Sequence, residues 1–182
     1  MTIRRAIDWA IWLGLAGAAA CAPAQETDAA VAATVQQQGN AFASALLNED
    51  YAAVAAATCS PVLARVGGAL ALARQIEVSF KVMQQQGRQL LDMHFDAASA
   101  LFDGGETRFA LVPYRSVIGV GARHVALESF YLGVQNKGAD AWCFIDTAAL
   151  TPASLHDLFP GAPPGLKLPP PAEALVQRDV SN

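Results

Sequence analysis

The run Leu90-Leu91-Asp92-Met93-His94-Phe95-Asp96 decides the fold. Leu91, Met93 and Phe95 alternate with Asp92, His94 and Asp96, the period of two that gives a strand one apolar and one polar face. The pattern recurs along the chain from there to Thr147. Asp103-Gly104-Gly105-Glu106 supplies a turn, because glycine takes the positive φ that a tight hairpin needs. Thr107 to Val120 follows, rich in β-branched and aromatic residues. Gly119, Gly121 and Arg123 mark a second turn, and Val125 to Val134 forms a third strand. Asn136-Lys137-Gly138-Ala139-Asp140 is a third turn before a short last strand, Trp142-Cys143-Phe144-Ile145. Consecutive hairpins without intervening helices predict a four-stranded antiparallel meander. Pro113 lies inside the second strand and lacks an N–H, so it is expected at a bulge or at a bend on an edge.

The residues before the sheet predict helices. Thr27-Asp28 caps the first, in which Val31, Val35, Phe42 and Leu46 keep helical spacing. Gln36-Gln37-Gln38 reads as its solvated side. Asp50 caps a short second helix, Tyr51 to Thr58. Ser60-Pro61 starts a third, with Gly67-Gly68 as a kink and Leu70, Ala73, Ile76, Phe80 and Met83 continuing its apolar stripe to a stop at Gly87. After the sheet, Thr151-Pro152 opens another short helix. Pro160 to Pro171 holds six prolines and can be neither helix nor central strand. Leu166, Leu168 and Ala162 suit an extended strap laid across the domain. The fold class is thus α+β, with N-terminal helices on a curved sheet.

Composition bounds the function. The 182 residues are 53% hydrophobic and 15% charged, which excludes a disordered chain and fits one domain plus a targeting segment. The net charge of −4 and the lack of a basic patch with interleaved aromatics argue against nucleic acid as a partner. Arg4-Arg5 followed by the apolar run Trp9 to Ala20 has the pattern of a signal peptide and is short for a bilayer span. Two cleavage readings compete. Ala18-Ala19-Ala20-Cys21 suits lipidation of Cys21, with residues 1–20 as leader and 21–27 as a linker. Ala22-Pro23-Ala24 suits ordinary secretion. Either way the domain, residues 28–169, is expected outside the cytoplasm: in the periplasm, anchored to the outer membrane through Cys21, or secreted. Residues 170–182 read as a flexible tail.

Export changes the reading of Cys59 and Cys143. In an oxidising compartment they form a candidate disulfide worth roughly 2–4 kcal/mol; two small buried thiols are the alternative. The three histidines are far apart and no Cys-x-x-Cys occurs, so neither a metal nor a cofactor is expected. No Gly-x-Ser-x-Gly elbow or phosphate loop is present.

Lys137 to Asp146, with its Trp142-Cys143-Phe144-Ile145-Asp146 core, is similar to the W-x-F-[IL]-D final strand of the nuclear-transport-factor-2-like, or cystatin-like, proteins. Leu111-Val112-Pro113 and the closing Leu158-Phe159-Pro160 with Leu166-Lys167-Leu168-Pro169-Pro170 resemble the same family, whose small exported bacterial members include many lipoproteins. Thr147 stands where that family has glycine. The resemblance spans about Asp28 to Pro169. It implies a cone-shaped cavity between a long helix and the sheet, used by different members for catalysis, ligand binding or partner binding.

Three functions follow as expectations. The first is non-catalytic binding of a small apolar ligand or a protein partner. Phe80 and Met83 are the candidate pocket residues on the helix. Phe95, Tyr114, Phe130, Tyr131 and Trp142 are those on the sheet. The second is a dehydratase- or isomerase-type enzyme, which needs a general acid or base inside the cone. Its candidates are His94 with Asp92 and His124 with Glu128, besides Asp96, Tyr114, Tyr131 and Asp146, although an alternating strand also shows such residues to solvent. Asp146 ends a strand before a turn and so reads rather as a backbone cap. The third is an immunity-like protein that binds a partner through its sheet surface. If Cys21 is lipidated, cells fed a fatty-acid probe label the wild-type protein and not Cys21→Ala; equal labelling of both excludes the anchor.

Overall fold

In a computed structural model the N-terminal helices pack against a curled antiparallel sheet that forms a half-barrel. The structure describes residues 27–169 and the backbone of residues 178–179. The leader, the two cleavage sites and Cys21 lie outside the described residues. Among the described residues no helix is long and apolar enough to cross a membrane.

The sheet is built on one long hairpin. β3 (Thr107–Val120) pairs with β4 (Arg123–Asn136) in unbroken register from Thr107↔Asn136 to Val120↔Arg123. Gly121, at φ 60°, and Ala122 close it in two residues, since glycine alone takes that φ freely. β1 (Arg88–Phe95) and β2 (Ala100–Asp103) both lie on the other edge of β3, one after the other. The sequence pattern passes over β2, a four-residue strand that has no alternation of its own. β5 (Cys143–Asp146) pairs with β4 from Tyr131 to Val134. Trp142 therefore precedes the last strand and is not part of it. Arg178–Asp179, placed in the tail by the sequence, form β6 against Val125 and Ala126 of β4.

Pro113 is in a central strand after all. Its carbonyl accepts from Asp96 N–H at 2.9 Å, and the N–H and C=O of a strand residue point to the same side. Its missing donor thus faces the break between β1 and β2, where no ladder bond is lost.

Alternation then assigns the two faces. Met93, Phe95, Val112, Tyr114, Leu127 and Tyr131 point inward. Asp92, His94, Arg115, Glu128 and Phe130 point outward.

α1 (Asp28–Leu47) lies on the inner face and buries Val31, Val35, Phe42 and Leu46 there. It is bolted to the sheet by its amides, and this corrects the reading of the glutamine run as a solvated side. Gln38 Oε1 accepts from Trp142 N–H at 2.7 Å and Gln38 Nε2 donates to Asp140 O at 2.9 Å. Asn40 Oδ1 accepts from Phe95 N–H at 2.8 Å, while Gln36 Nε2 donates to Phe95 O at 3.1 Å. The two bonds at Phe95 satisfy edge groups of β1 that no neighbouring strand covers, and the two at Gln38 hold the segment before β5. α2 (Tyr51–Ala56) follows, capped by Asp50.

Gly67 at φ 88° and Gly68 at φ 98° end α3 (Ser60–Val66) before α4 (Ala69–Gln85) begins. Four helices therefore precede the sheet, not three, and the glycine pair separates two of them. The Cys59–Cys143 disulfide joins the α2–α3 junction to β5 across 84 residues, with the two Cα atoms 4.8 Å apart. Closing a loop of that length removes about 4 kcal/mol of unfolded-chain entropy. The outer face of the sheet near β5 is covered as well. α5 (Pro152–Leu158) and the following proline-rich strap bury Leu155 and Leu166 against Phe109, Leu111 and Leu132.

One close approach fixes α1. A Cβ added at Gly39 would lie 2.8 Å from both Cγ and Cδ1 of the buried Phe95 ring. Alanine gains about 1 kcal/mol over glycine inside a helix, yet Gly39→Ala is expected to destabilise the protein by about 1 kcal/mol net, because the core ring has nowhere to move. Urea unfolding measures it; a net gain in stability would contradict this packing.

Candidate functional site

α4 has helical spacing of apolar residues but no buried residue. Leu72, Ile76, Phe80 and Met83 face inward, at steps of three and four. Ile76 and Phe80 reach the rim of the core. A cavity of about 490 Å³ lies between this stripe and the inner face of the sheet. Its floor is apolar: Leu90, Met93, Ile118 and Leu127 from the strands, Leu46 and Val54 from α1 and α2. α4 is held at its side instead. The Tyr51 and Phe80 rings lie 5.4 Å apart, and Gln84 Nε2 donates to Glu49 Oε1 at 3.0 Å.

The deep end of the cavity is aromatic. Tyr114 and Tyr131 meet edge to face with centroids 5.0 Å apart, and Tyr131 packs on Phe42 at 5.4 Å and Phe95 at 5.2 Å. Asp146, the last residue of β5, is in register with Tyr131 and so shares its face. Asp146 Oδ1 accepts from Ala148 N–H at 2.9 Å, capping a 3-10 turn, Thr147–Ala149. The sequence reading of Asp146 as a backbone cap therefore holds, and the same carboxyl also lines the cavity.

Burial shapes the acidity of all three groups. It pushes the Tyr114 phenol up to about 12, with Asp146 adding and a Ser129 hydrogen bond opposing. Burial also holds the Tyr131 phenol well above its ordinary value, helped by Asp146 and Tyr114. The Asp146 carboxyl is raised by burial, against the Ala148 N–H that favours its charged form. The polar residues on the helix side are already engaged with backbone. Ser79 Oγ donates to Gln75 O at 2.9 Å, and Thr58 Oγ1 donates to Val54 O at 3.0 Å.

The expected site residues divide between the two faces. Phe80, Met83, Tyr114 and Tyr131 line the cavity. Phe95 is fully buried beneath it in the core under α1. Trp142 is also buried in that core, with its ring 3.3 Å from where a Cβ of Gly133 would be. Phe130 is on the outer face, opposite Pro113, because its position in β4 has the wrong parity for the interior.

Parity also removes the histidine pairs. His94 and Asp92 point outward, with Nδ1 3.7 Å from Oδ2 and both side chains about half exposed. Arg115 beside them binds Asp96 at 3.2 and 3.3 Å. Glu128 is opposite Arg115, and His124 is exposed next to the hairpin end, opposite Gly119. No histidine lines the cavity. Among the described residues no cluster of three His, Cys, Asp or Glu is placed to hold a metal ion.

The raised Asp146 carboxyl has a measurable consequence. Its acid form is the one that the fold favours, so its contribution to stability is greatest at low pH and falls as pH rises through the raised value. Asp146→Asn keeps an oxygen for Ala148 and stays neutral. The stability of the variant relative to wild type, from urea unfolding, should therefore be higher at about pH 7 than at about pH 3. A difference that is constant with pH, or that runs the other way, would contradict the assigned environment.

Compared with known proteins, the chain matches no family model, no curated protein and no solved structure.

Proposed function

We propose that this is an exported protein of the nuclear-transport-factor-2-like type that binds a small apolar molecule, without chemical conversion, between α4 and the sheet. One observation carries the reading. A 17-residue amphipathic helix has no buried residue, because its apolar stripe faces an open cavity lined by apolar side chains. A helix in a packed domain gains most of its stability from burying that stripe. A ligand of matching size supplies the missing contact, and the volume lies in the range of ordinary small-molecule sites. The order of helices and curled sheet supports the family resemblance. The disulfide supports an oxidising compartment, and so export, with Cys21 as the proposed membrane tether.

The dehydratase or isomerase alternative relied on a histidine–carboxylate pair inside the cone. His94 with Asp92 and His124 with Glu128 are on the other side of the sheet, so that pairing has no geometric support.

The neutral fluorophore Prodan shifts its emission in apolar surroundings and tests the reading directly. Wild-type protein should bind it with a blue shift. Leu127→Trp, which fills the cavity from β4, should weaken binding about tenfold or more while the far-ultraviolet dichroism stays unchanged. No blue shift with wild type, or equal binding by the variant, would exclude the cavity as the site.

A further inference from the structure

The charge character of the cavity narrows the ligand class, and this step rests on the ligand-binding reading above. The ionisable side chains lining it are Tyr114, Tyr131 and Asp146. Each is either neutral or negative. Lysine, arginine and histidine do not line it, and the helix-side polar residues Thr58, Gln75 and Ser79 carry no charge. An anionic ligand would meet no countercharge there and would be desolvated against a carboxyl.

A cation meets the opposite situation. Aromatic rings present negative faces to a positive charge, and the deep end gathers Tyr114, Tyr131, Phe42 and Phe144, with centroid separations between 5.0 and 5.8 Å. Asp146 is on the same face as Tyr131, and one of its oxygens is engaged by Ala148. Its other oxygen is available to accept from a ligand. Most of the remaining lining is apolar, from residues such as Ile76, Phe80, Met83, Leu90 and Leu127.

We propose that the cavity takes an apolar amine: a hydrophobic body beneath α4, and a protonated nitrogen at the tyrosine rings and Asp146. The amine pulls Asp146 into its charged form. Burial raises this carboxyl, so pairing with the amine favours loss of its proton, and affinity rises with pH through the raised carboxyl value. Tyr131 and Tyr114 are the titratable groups facing Asp146, and both stay protonated over that range.

Three probes that share one skeleton test this: 1-naphthylmethylamine, 1-naphthalenemethanol and 1-naphthoate, measured by titration calorimetry on the protein. The amine should bind about tenfold or more tighter than the alcohol, and the naphthoate weakest of the three. Asp146→Asn should bring amine and alcohol within about threefold of each other, by weakening the amine far more than the alcohol. On wild-type protein, at the pH where NMR shows the Asp146 carboxyl half-titrated, buffers of different ionisation enthalpy should reveal proton release with the amine and none with the alcohol. That second readout needs no variant. An amine no tighter than the alcohol, a preference that survives Asp146→Asn, or amine binding without proton release would overturn the proposal. If Prodan binds while the naphthalene probes show no preference, only the amine assignment falls. If neither Prodan nor any naphthalene probe binds, the ligand-binding reading falls with it.

Discussion

A helix with an apolar stripe needs something apolar to cover it, and in this protein the partner of α4 is a space. Leu72, Ile76, Phe80 and Met83 line an open volume of about 490 Å³, and Ile76 and Phe80 touch the core only from its rim. Interiors of folded domains are otherwise close-packed, so an opening of this size in a small domain has a cost in lost dispersion contacts. The arrangement persists because other elements hold the walls apart. α1 fixes one side of the half-barrel through Gln36, Gln38 and Asn40, whose amides engage the backbone of Phe95, Asp140 and Trp142. The disulfide fixes the other side, clamping the α2–α3 junction onto β5.

The molecule is therefore unevenly packed. Beneath α1 the core is dense: Val35, Phe95, Val112 and Phe144 are almost wholly removed from solvent. Behind β5, α5 and the strap close the outer face over Phe109 and Leu132. α4 rests chiefly on α2, with lesser contact to β1 and α3, and leaves Leu70, Val78 and Val82 of its outer side exposed. Elements with few buried apolar contacts are those that open first. A rigid frame with one lightly held helix suits a site that must admit a ligand and then cover it.

Much of this was legible in the residues, and the failures have physical causes. Strand alternation, glycine turns and helical spacing are local signals, and they located the helices, the hairpins and the α+β order. The sequence leaves Cys59 and Cys143 as either a disulfide or two buried thiols, and the structure contains the bond. β2 escaped because four residues, Ala100–Asp103, are too few for a periodicity and are ordered by β3 beside them. The glutamine run looked solvated because an amide pairing with a distant backbone leaves no mark on composition. Phe130 was assigned to the pocket by residue type, although its parity in β4 sends it outward. The histidines attracted attention as the usual carriers of proton chemistry, yet alternation places His94 with the outward acids. Asp146 stands among the candidate acids but reads chiefly as a cap, since nothing in the sequence reveals that the end of β5 is in register with Tyr131 beside the cavity.

Whether α4 covers a true space is best decided by diffraction from crystals held under xenon pressure, because xenon binds apolar voids and needs no specific chemistry. The account expects xenon between Phe80 and Met83 on one side and Tyr131 on the other, with α4 unmoved. A helix collapsed onto the sheet, with Ile76 and Phe80 packed against Met93 and Leu127 and no xenon between them, would contradict it.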